Sequence, residues 1–298
     1  MVEGIIIKGI AGFYYVKAGD TLYECKARGK FRNDSVVPII GDHVMIKVLG
    51  EKSDNNIFDK AFIEDIMPRK NSLIRPPVAN IDQAIVVFSV TYPKLHLDLL
   101  DRFLIIIEKE KIIPYIVLNK IDEADLHTYS YLLDRYSKIG YDIMAVSAKK
   151  EIAVPQLKSK LIGKTSVFAG PSGVGKSTLL NAIGKEFCLE TGEVSQKIKR
   201  GKHTTRHVEL MPLEEGGYVV DTPGFTSLYF DNISKEDLKD YFPEFRVYEG
   251  TCKFNGCMHI HEPGCKVKEA HEAGIICTER YNSYVTYFEQ IKNTTGKW

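Results

Sequence analysis

No apolar run in this 298-residue chain approaches the ~18 residues that a membrane span requires. The N-terminus has neither the cationic start nor the small-residue cleavage site of an export signal. Its six cysteines fall at irregular spacings. Without an export signal, that argues against a disulfide scaffold and for a reduced, cytoplasmic protein. An excess of charge is missing too, since 40 Lys and Arg stand against 39 Asp and Glu, a formal +1. Net charge therefore does not mark a nucleic-acid protein, and any RNA binding has to come from local patches. A hydrophobic content of 44% is that of an ordinary globular core, and the length predicts more than one domain.

The chain is organised around 170–183, GPSGVGKSTLLNAI, which follows the apolar run 165–169 and leads into a helix-forming stretch. Strand, glycine-rich loop, helix is the context of a phosphate-binding loop. Glycines let successive backbone N–H groups face one concavity, with the helix N-terminus behind it. Gly170, Ser172, Gly173, Val174, Gly175, Lys176, Ser177 and Thr178 are the expected contacts. Lys176 reaches the β- and γ-phosphates, and the Ser177 hydroxyl is a Mg²⁺ ligand.

The base is named by two other strand ends. Residues 113–122 (IPYIVLNKID) close on Asn119, Lys120 and Asp122, and 141–150 close on Ser147, Ala148 and Lys149. A carboxylate at Asp122 can accept from both guanine N1–H and the exocyclic amine. Adenine offers an acceptor at N1 and no such amine, which would leave the acid unpaired at a cost of roughly 1–3 kcal/mol. Asn119 can tie the base loop to the phosphate loop, and the Lys120 stem can lie over the base. GTP or GDP is the expected ligand.

In ordinary GTPases the phosphate loop precedes the base loops; here it follows them. The run is 119–122, 147–149, 170–177, then the switch threonines at 203–205 (HTT) and 221–224 (DTPG). This is a circular permutation, which a domain with neighbouring surface termini tolerates. Thr205, with Thr204 as its alternative, is expected on Mg²⁺ and the γ-phosphate, Asp221 near Mg²⁺, and the Gly224 amide at the γ-phosphate. The glutamine that would orient the attacking water is missing from the next position, where Phe225 stands. Intrinsic hydrolysis should be slow, and another group must position the water. His203 is the internal candidate; a solvent-exposed switch histidine, or one that contacts a partner, is its equally weighted alternative.

Residues 1–68 read as about five short strands, the pattern of a small OB-type barrel. Its loop 26–32 sets Lys26, Arg28, Lys30 and Arg32 around Phe31, either a phosphate-plus-stacking surface for RNA or a solvated hairpin. Residues 67–82, with Pro68, Pro76 and Pro77, read as an extended linker. Alternating strands and helices after 83 predict a parallel sheet. One helix, 97–110, carries Leu99, Leu100, Phe103, Ile106 and Ile107 on one face. Near the C-terminus Cys252, Cys257, His259 and Cys265 supply three thiolates and an imidazole, a closed Zn²⁺ shell, with His261 the rival for His259. Cys25, Cys188 and Cys277 read as plain small residues. Helices are expected over 234–242, 266–274 and 278–291, the last with an aromatic face that belongs to a core.

These residues resemble the bacterial RsgA (YjeQ/YloQ-type) family of circularly permuted GTPases. The likeness covers 28–32, Gly41-Asp42, 68–76, 79–83, Asp101-Arg102-Phe103, both base loops, the phosphate loop, 201–207, 221–225, the Cys/His loop and 280–284. It implies an N-terminal OB barrel (1–68), a central α/β permuted P-loop GTPase (69–230) and a C-terminal helical zinc domain (231–298). It also implies GTP hydrolysis stimulated by the small ribosomal subunit, contact with its 16S rRNA, and a late role in subunit assembly. His203 falls at the family's candidate catalytic histidine, and the choice of His259 as ligand rests partly on the family pattern. A monomer that does not use a membrane is expected. Two other classes are a GTP-gated RNA-binding module and a P-loop kinase; the paired base loops and γ-phosphate sensors argue against the kinase.

Overall fold

The computed structural model describes residues 1–29, 31, 36–52, 57–74, 76–184, 187, 208–221 and 233–295, with backbone alone at Glu51, Asp221, Thr294 and Thr295. Two compact units divide the chain. One comprises Met1–Ile85, Ala153–Ala169 and Lys176–Ser227, the other Val86–Ile152, Gly170–Gly175 and Leu228–Trp298.

The first unit begins with β1 (Val2–Ile10), β2 (Phe13–Ala18), β3 (Thr21–Ala27), β4 (His43–Lys52) and β5 (Asp59–Ile66), which form a closed barrel in the order β1-β2-β3-β5-β4. Apolar side chains at alternate positions point inward, as a strand's period of two requires. Ile6, Val16, Cys25, Val44, Ile46, Ala61 and Ile63 fill the interior. Burial pushes the Cys25 thiol up to about 12, so it is an inert core residue, as its sequence context suggested. Phe31 is different. It is buried in that same core and offers no stacking face, because the apolar ring gains more from the barrel interior than from solvent. Of the cations around it, Lys26 lies over the Phe13 ring and Arg28 pairs with Glu64 at 2.5 Å; Lys30 and Arg32 lie outside the described residues.

The expected linker is not one. Within 67–82 a two-stranded hairpin forms, β6 (Ser72–Ile74) against β7 (Pro77–Ala79). It is fastened to the barrel. The Ala79 amide donates to the Ile40 carbonyl at 2.8 Å, and Asn80 donates to the Gly41 carbonyl at 2.9 Å. Arg69 reaches the fully buried Asp42 with Nε at 2.6 Å and Nη2 at 2.8 Å. Prolines marked the ends of short strands here, not an extended spacer.

A six-stranded sheet runs β10-β9-β8-β11-β13-β12, from β8 (Gln83–Ser89), β9 (Ile113–Asn119), β10 (Asp142–Ala145), β11 (Thr165–Ala169), β12 (Leu210–Pro212) and β13 (Tyr218–Asp221). β10 pairs with β9 and β11 with β13 in parallel, and β12 is antiparallel to β13. Every residue of β8 and β11 is buried, the continuous apolar run of a strand covered on both faces.

In the second unit, helix α1 (Leu97–Lys109) buries Leu100, Asp101, Phe103, Leu104, Ile105 and Ile107. Leu99 and Ile106 are only half-buried, because α1 has two neighbours rather than one. Phe103 meets Phe88 of the sheet edge-on at 5.9 Å, while Ile105 belongs to the C-terminal core with Leu238, Phe242 and Tyr284. Then come α2 (Ser130–Ile139), α3 (Val154–Leu161) and α4 (Lys176–Ile183), of which α3 and α4 belong to the first unit. The C-terminal region contains α5 (Lys266–Glu272) and α6 (Thr278–Thr295). The helix expected over 234–242 is instead a pair of 3₁₀ turns, Leu238–Tyr241 and Pro243–Tyr248. Pro243 forces Phe242 out of the helical region, to φ −114° and ψ 95°. Barrel, α/β sheet and helical Cys/His region are the architecture expected from sequence. No helix among the described residues is long and apolar enough to cross a membrane.

Candidate nucleotide site and Cys/His cluster

Three loops converge at strand ends, where open α/β sheets place ligands. Asn119 closes β9 with its side chain buried. Its amide nitrogen donates to the Val174 carbonyl at 2.9 Å, and its oxygen accepts from the Ala148 amide at 3.0 Å. One side chain thus joins the 119–122, 147–149 and 170–175 loops. Lys120, at φ 68°, turns its ammonium onto the Gly173 carbonyl at 2.9 Å and the Tyr92 carbonyl at 2.6 Å. Asp122 sits half-buried in the 3₁₀ turn Ile121–Glu123. The Ser147 hydroxyl donates to its Oδ1 at 2.6 Å and itself accepts from the Lys150 amide at 3.0 Å. That orients the carboxylate as a planar acceptor, the shape that guanine's N1–H and N2–H₂ match. Ser147 and Ala148 are buried, and Lys149 is exposed.

The phosphate loop shows why two of its glycines are required. At Gly170 (φ 136°) a Cβ would stand 2.1 Å from the Val87 carbonyl oxygen, and at Gly175 (φ 95°) 2.5 Å from Asn119 Nδ2. No side chain fits either place, and the positive φ favours glycine besides. Ser172 and Gly173 are exposed on the loop, Val174 is buried beneath it, and Lys176, Ser177 and Thr178 form the first turn of α4. Asp221 ends β13. His203, Thr204, Thr205, Gly224, Phe225 and Cys188 lie outside the described residues.

One part of the site was not foreseen. The segment following β8 braces both nucleotide loops. Tyr92 supplies the carbonyl that Lys120 grips, and the Thr91 hydroxyl donates to Glu123 at 3.0 Å. Pro93 Cδ lies 3.7 Å from where a Gly173 Cβ would be. Its only sequence signal was its place at the end of an apolar strand.

Cys252, Cys257, His259 and Cys265 bring one ligand atom each to within 4.8 Å of one another. His259 Nδ1 lies 3.3 Å from Cys265 Sγ and 3.7 Å from Cys252 Sγ, and the two sulfurs are 4.0 Å apart. Ligands of one tetrahedral ion, at ~2.3 Å for sulfur and ~2.0 Å for nitrogen, stand about 3.5–3.8 Å apart, so the set fits a divalent ion with all positions filled by protein. His259 is buried, and His261 is exposed, which separates the two rivals. Burial pushes the Cys257 thiol up to about 12 and the Cys265 thiol upward, and pulls His259 toward its neutral, ligating form. The loop is held from outside: Glu262 accepts from the Met258, Ile260 and His261 amides, Tyr281 donates to the His259 carbonyl, and Tyr284 to that of Met258.

A family model described as RsgA GTPase matches residues 66–231, and one described as RsgA N-terminal domain matches 3–54. The chain is 52% identical over 292 residues to the small ribosomal subunit biogenesis GTPase RsgA of Alkaliphilus metalliredigens, covering 98% of each chain. To the protein of the same name from Geobacillus thermodenitrificans it is 46% identical, covering 100% of both. Among solved structures it resembles YloQ, a circularly permuted GTPase, at TM-score 0.83 and 39% identity over 99% of this chain and 96% of that one. YjeQ from Thermotoga maritima gives TM-score 0.83 and 37% identity over 97% and 98%.

Proposed function

The chain belongs to the RsgA GTPase family, and we propose that it hydrolyses GTP to GDP and phosphate in the late maturation of the small (30S) ribosomal subunit. The observation that carries this reading is the pair of hydrogen bonds at Asn119, one donated to the Val174 carbonyl and one accepted from the Ala148 amide. Joining the 119–122, 147–149 and 170–175 loops in this way supports a reading in which Asp122 reads guanine beside a phosphate cradle.

In this reading Asn119, Lys120, Asp122, Ser147, Ala148 and Lys149 hold the base. Gly170, Ser172, Gly173, Val174, Gly175, Lys176, Ser177 and Thr178 hold the phosphates. Ser177, Thr205 and Asp221 are the residues that would hold Mg²⁺, which when bound would supply positive charge against the phosphate oxygens. The Gly224 amide and Thr205 sense the γ-phosphate, and their contacts lapse when it leaves. With Phe225 at the water-orienting position, His203 or a group of the small subunit positions the water. Basal turnover is then slow and docking on the subunit and its 16S rRNA speeds it. Cys252, Cys257, His259 and Cys265 hold Zn²⁺, whose service is to cross-link the loop. The working form is a cytoplasmic monomer, divided into barrel (1–68), GTPase (69–230) and zinc domain (231–298).

The experiment is a competition assay with a fluorescent GDP analogue. GTP and GDP should displace it at micromolar concentrations while ATP fails at a hundredfold excess, roughly the 1–3 kcal/mol or more that an unpaired acid costs. Equal displacement by ATP would refute the guanine assignment.

A further inference from the structure

Asp101-Arg102-Phe103 and the 280–284 stretch (RYNSY) hold neither nucleotide nor metal in the reading above, yet they meet. Arg280, 1% exposed, donates from Nη1 to Asp101 Oδ1 at 2.7 Å and from Nε and Nη2 to Glu244 at 2.7 and 3.0 Å. The Tyr136 hydroxyl donates to the same Asp101 oxygen at 2.9 Å. Two further bonds join α6 to the start of α1: Tyr287 donates to the Asp98 carbonyl, and Arg102 donates to Gln290 at 2.9 Å. Buried ion pairs add little net stability, because desolvation offsets their attraction, but an ill-placed partner is strongly penalised. Such a network selects one geometry.

The geometry it selects matters because of what α1 is joined to. Four residues upstream of Leu97 is Pro93, packed near Gly173, and next to it is Tyr92, whose carbonyl receives Lys120. The helix that carries the Cys/His loop's clamp, Tyr281 and Tyr284, thereby grips the helix that leads into the brace of the nucleotide loops.

We propose that Arg280 is a positioning residue for the GTPase: by fixing the start of α1 it sets the 91–93 brace against Lys120 and Gly173, and it transmits docking of the Cys/His region to the bound nucleotide. The transmission half rests on the small-subunit reading above; the positioning half does not.

The test uses the full chain with Arg280→Lys, which keeps the charge and loses the fork, and Tyr287→Phe, which removes one hydroxyl and leaves the buried network intact. Metal content and melting temperature certify each variant. Release of a fluorescent GDP is measured by stopped flow, and GTP turnover with and without purified small subunits. GDP release should accelerate by about 10-fold in Arg280→Lys and a few-fold in Tyr287→Phe, within the usual range of coupling between sites. The gain in turnover from subunits should fall by a similar factor while subunit binding is kept. Release unchanged in the folded variants, even with a lowered melting temperature, overturns the proposal, since a merely structural residue would move only stability. Should Arg280→Lys fail to fold, Glu244→Gln, which weakens the same fork, is measured in its place, and unchanged release there overturns the proposal equally. A parent protein that subunits do not stimulate refutes the small-subunit reading, and the inference is then judged on GDP release.

Discussion

The amide nitrogen of Asn119 lies 2.9 Å from the Val174 carbonyl, and a Cβ on the next residue, Gly175, would come within 2.5 Å of that same nitrogen. The bond and the glycine are therefore one device. Gly175→Ala should dislodge Asn119 and strain a backbone at φ 95°, weakening GDP binding by about 100-fold. Equilibrium titration with fluorescent GDP measures it; affinity within twofold of the parent would show that the loops are tied some other way.

The Ser147 hydroxyl donates to Asp122 at 2.6 Å, and in the proposed reading that carboxylate accepts from guanine. Asp122→Asn replaces an acceptor with a donor and should cost GTP binding about 10- to 100-fold, the loss expected of a mispaired buried group. The same change should improve binding of xanthosine triphosphate, whose C2 oxygen accepts where guanine's amine donates. Competition titrations with both nucleotides read the exchange, and a loss of both alike would argue for simple loop damage.

Arg69→Ala should destabilise the barrel unit far more than a surface change does. It strips both guanidinium bonds from Asp42, whose side chain has no solvent exposure and keeps the Ile39 amide at 2.8 Å, and a buried charge that loses its counter-ion costs about 3–5 kcal/mol. Denaturant titration followed by hydrogen exchange in 1–85 would show it. A loss below 1 kcal/mol, the surface-pair range, would mean the 67–82 segment is the loose linker its prolines suggested.

The Cys/His set predicts one tightly held metal per chain, lost in His259→Ala and kept in His261→Ala. Elemental analysis of the purified variants separates them. Strong chelation should unfold the 252–265 loop and lower the melting temperature, because a closed structural site contributes directly to folding. Full metal in His259→Ala would transfer the ligand role to His261.

The loops 119–122, 147–149 and 170–178 at strand ends, and the Cys/His run before a helix, were readable from sequence because each carries its chemistry locally. Contacts that depend on distant partners were not. Phe31 sits among cations in sequence and reads as a stacking ring, but the barrel interior claims it. Nothing next to Arg280 in the sequence marks it as buried, since its partner Asp101 lies 179 residues away. The 67–82 prolines looked like a spacer because the bonds that fasten them go to Ile40, Gly41 and Asp42. Likewise the 91–93 brace is visible only once Lys120 is seen to reach Tyr92.

GTP turnover of the full chain, measured alone and with purified small or large ribosomal subunits, with His203→Ala in parallel, tests the central claim most directly. Slow basal turnover raised by about 10-fold or more with small subunits only is the predicted result, since Phe225 leaves the water without its usual orienting glutamine. Loss of that gain in His203→Ala would place the water-positioning group in this chain; its survival would place it on the subunit. Turnover that small subunits leave unchanged, or that large subunits raise as much, would contradict the account.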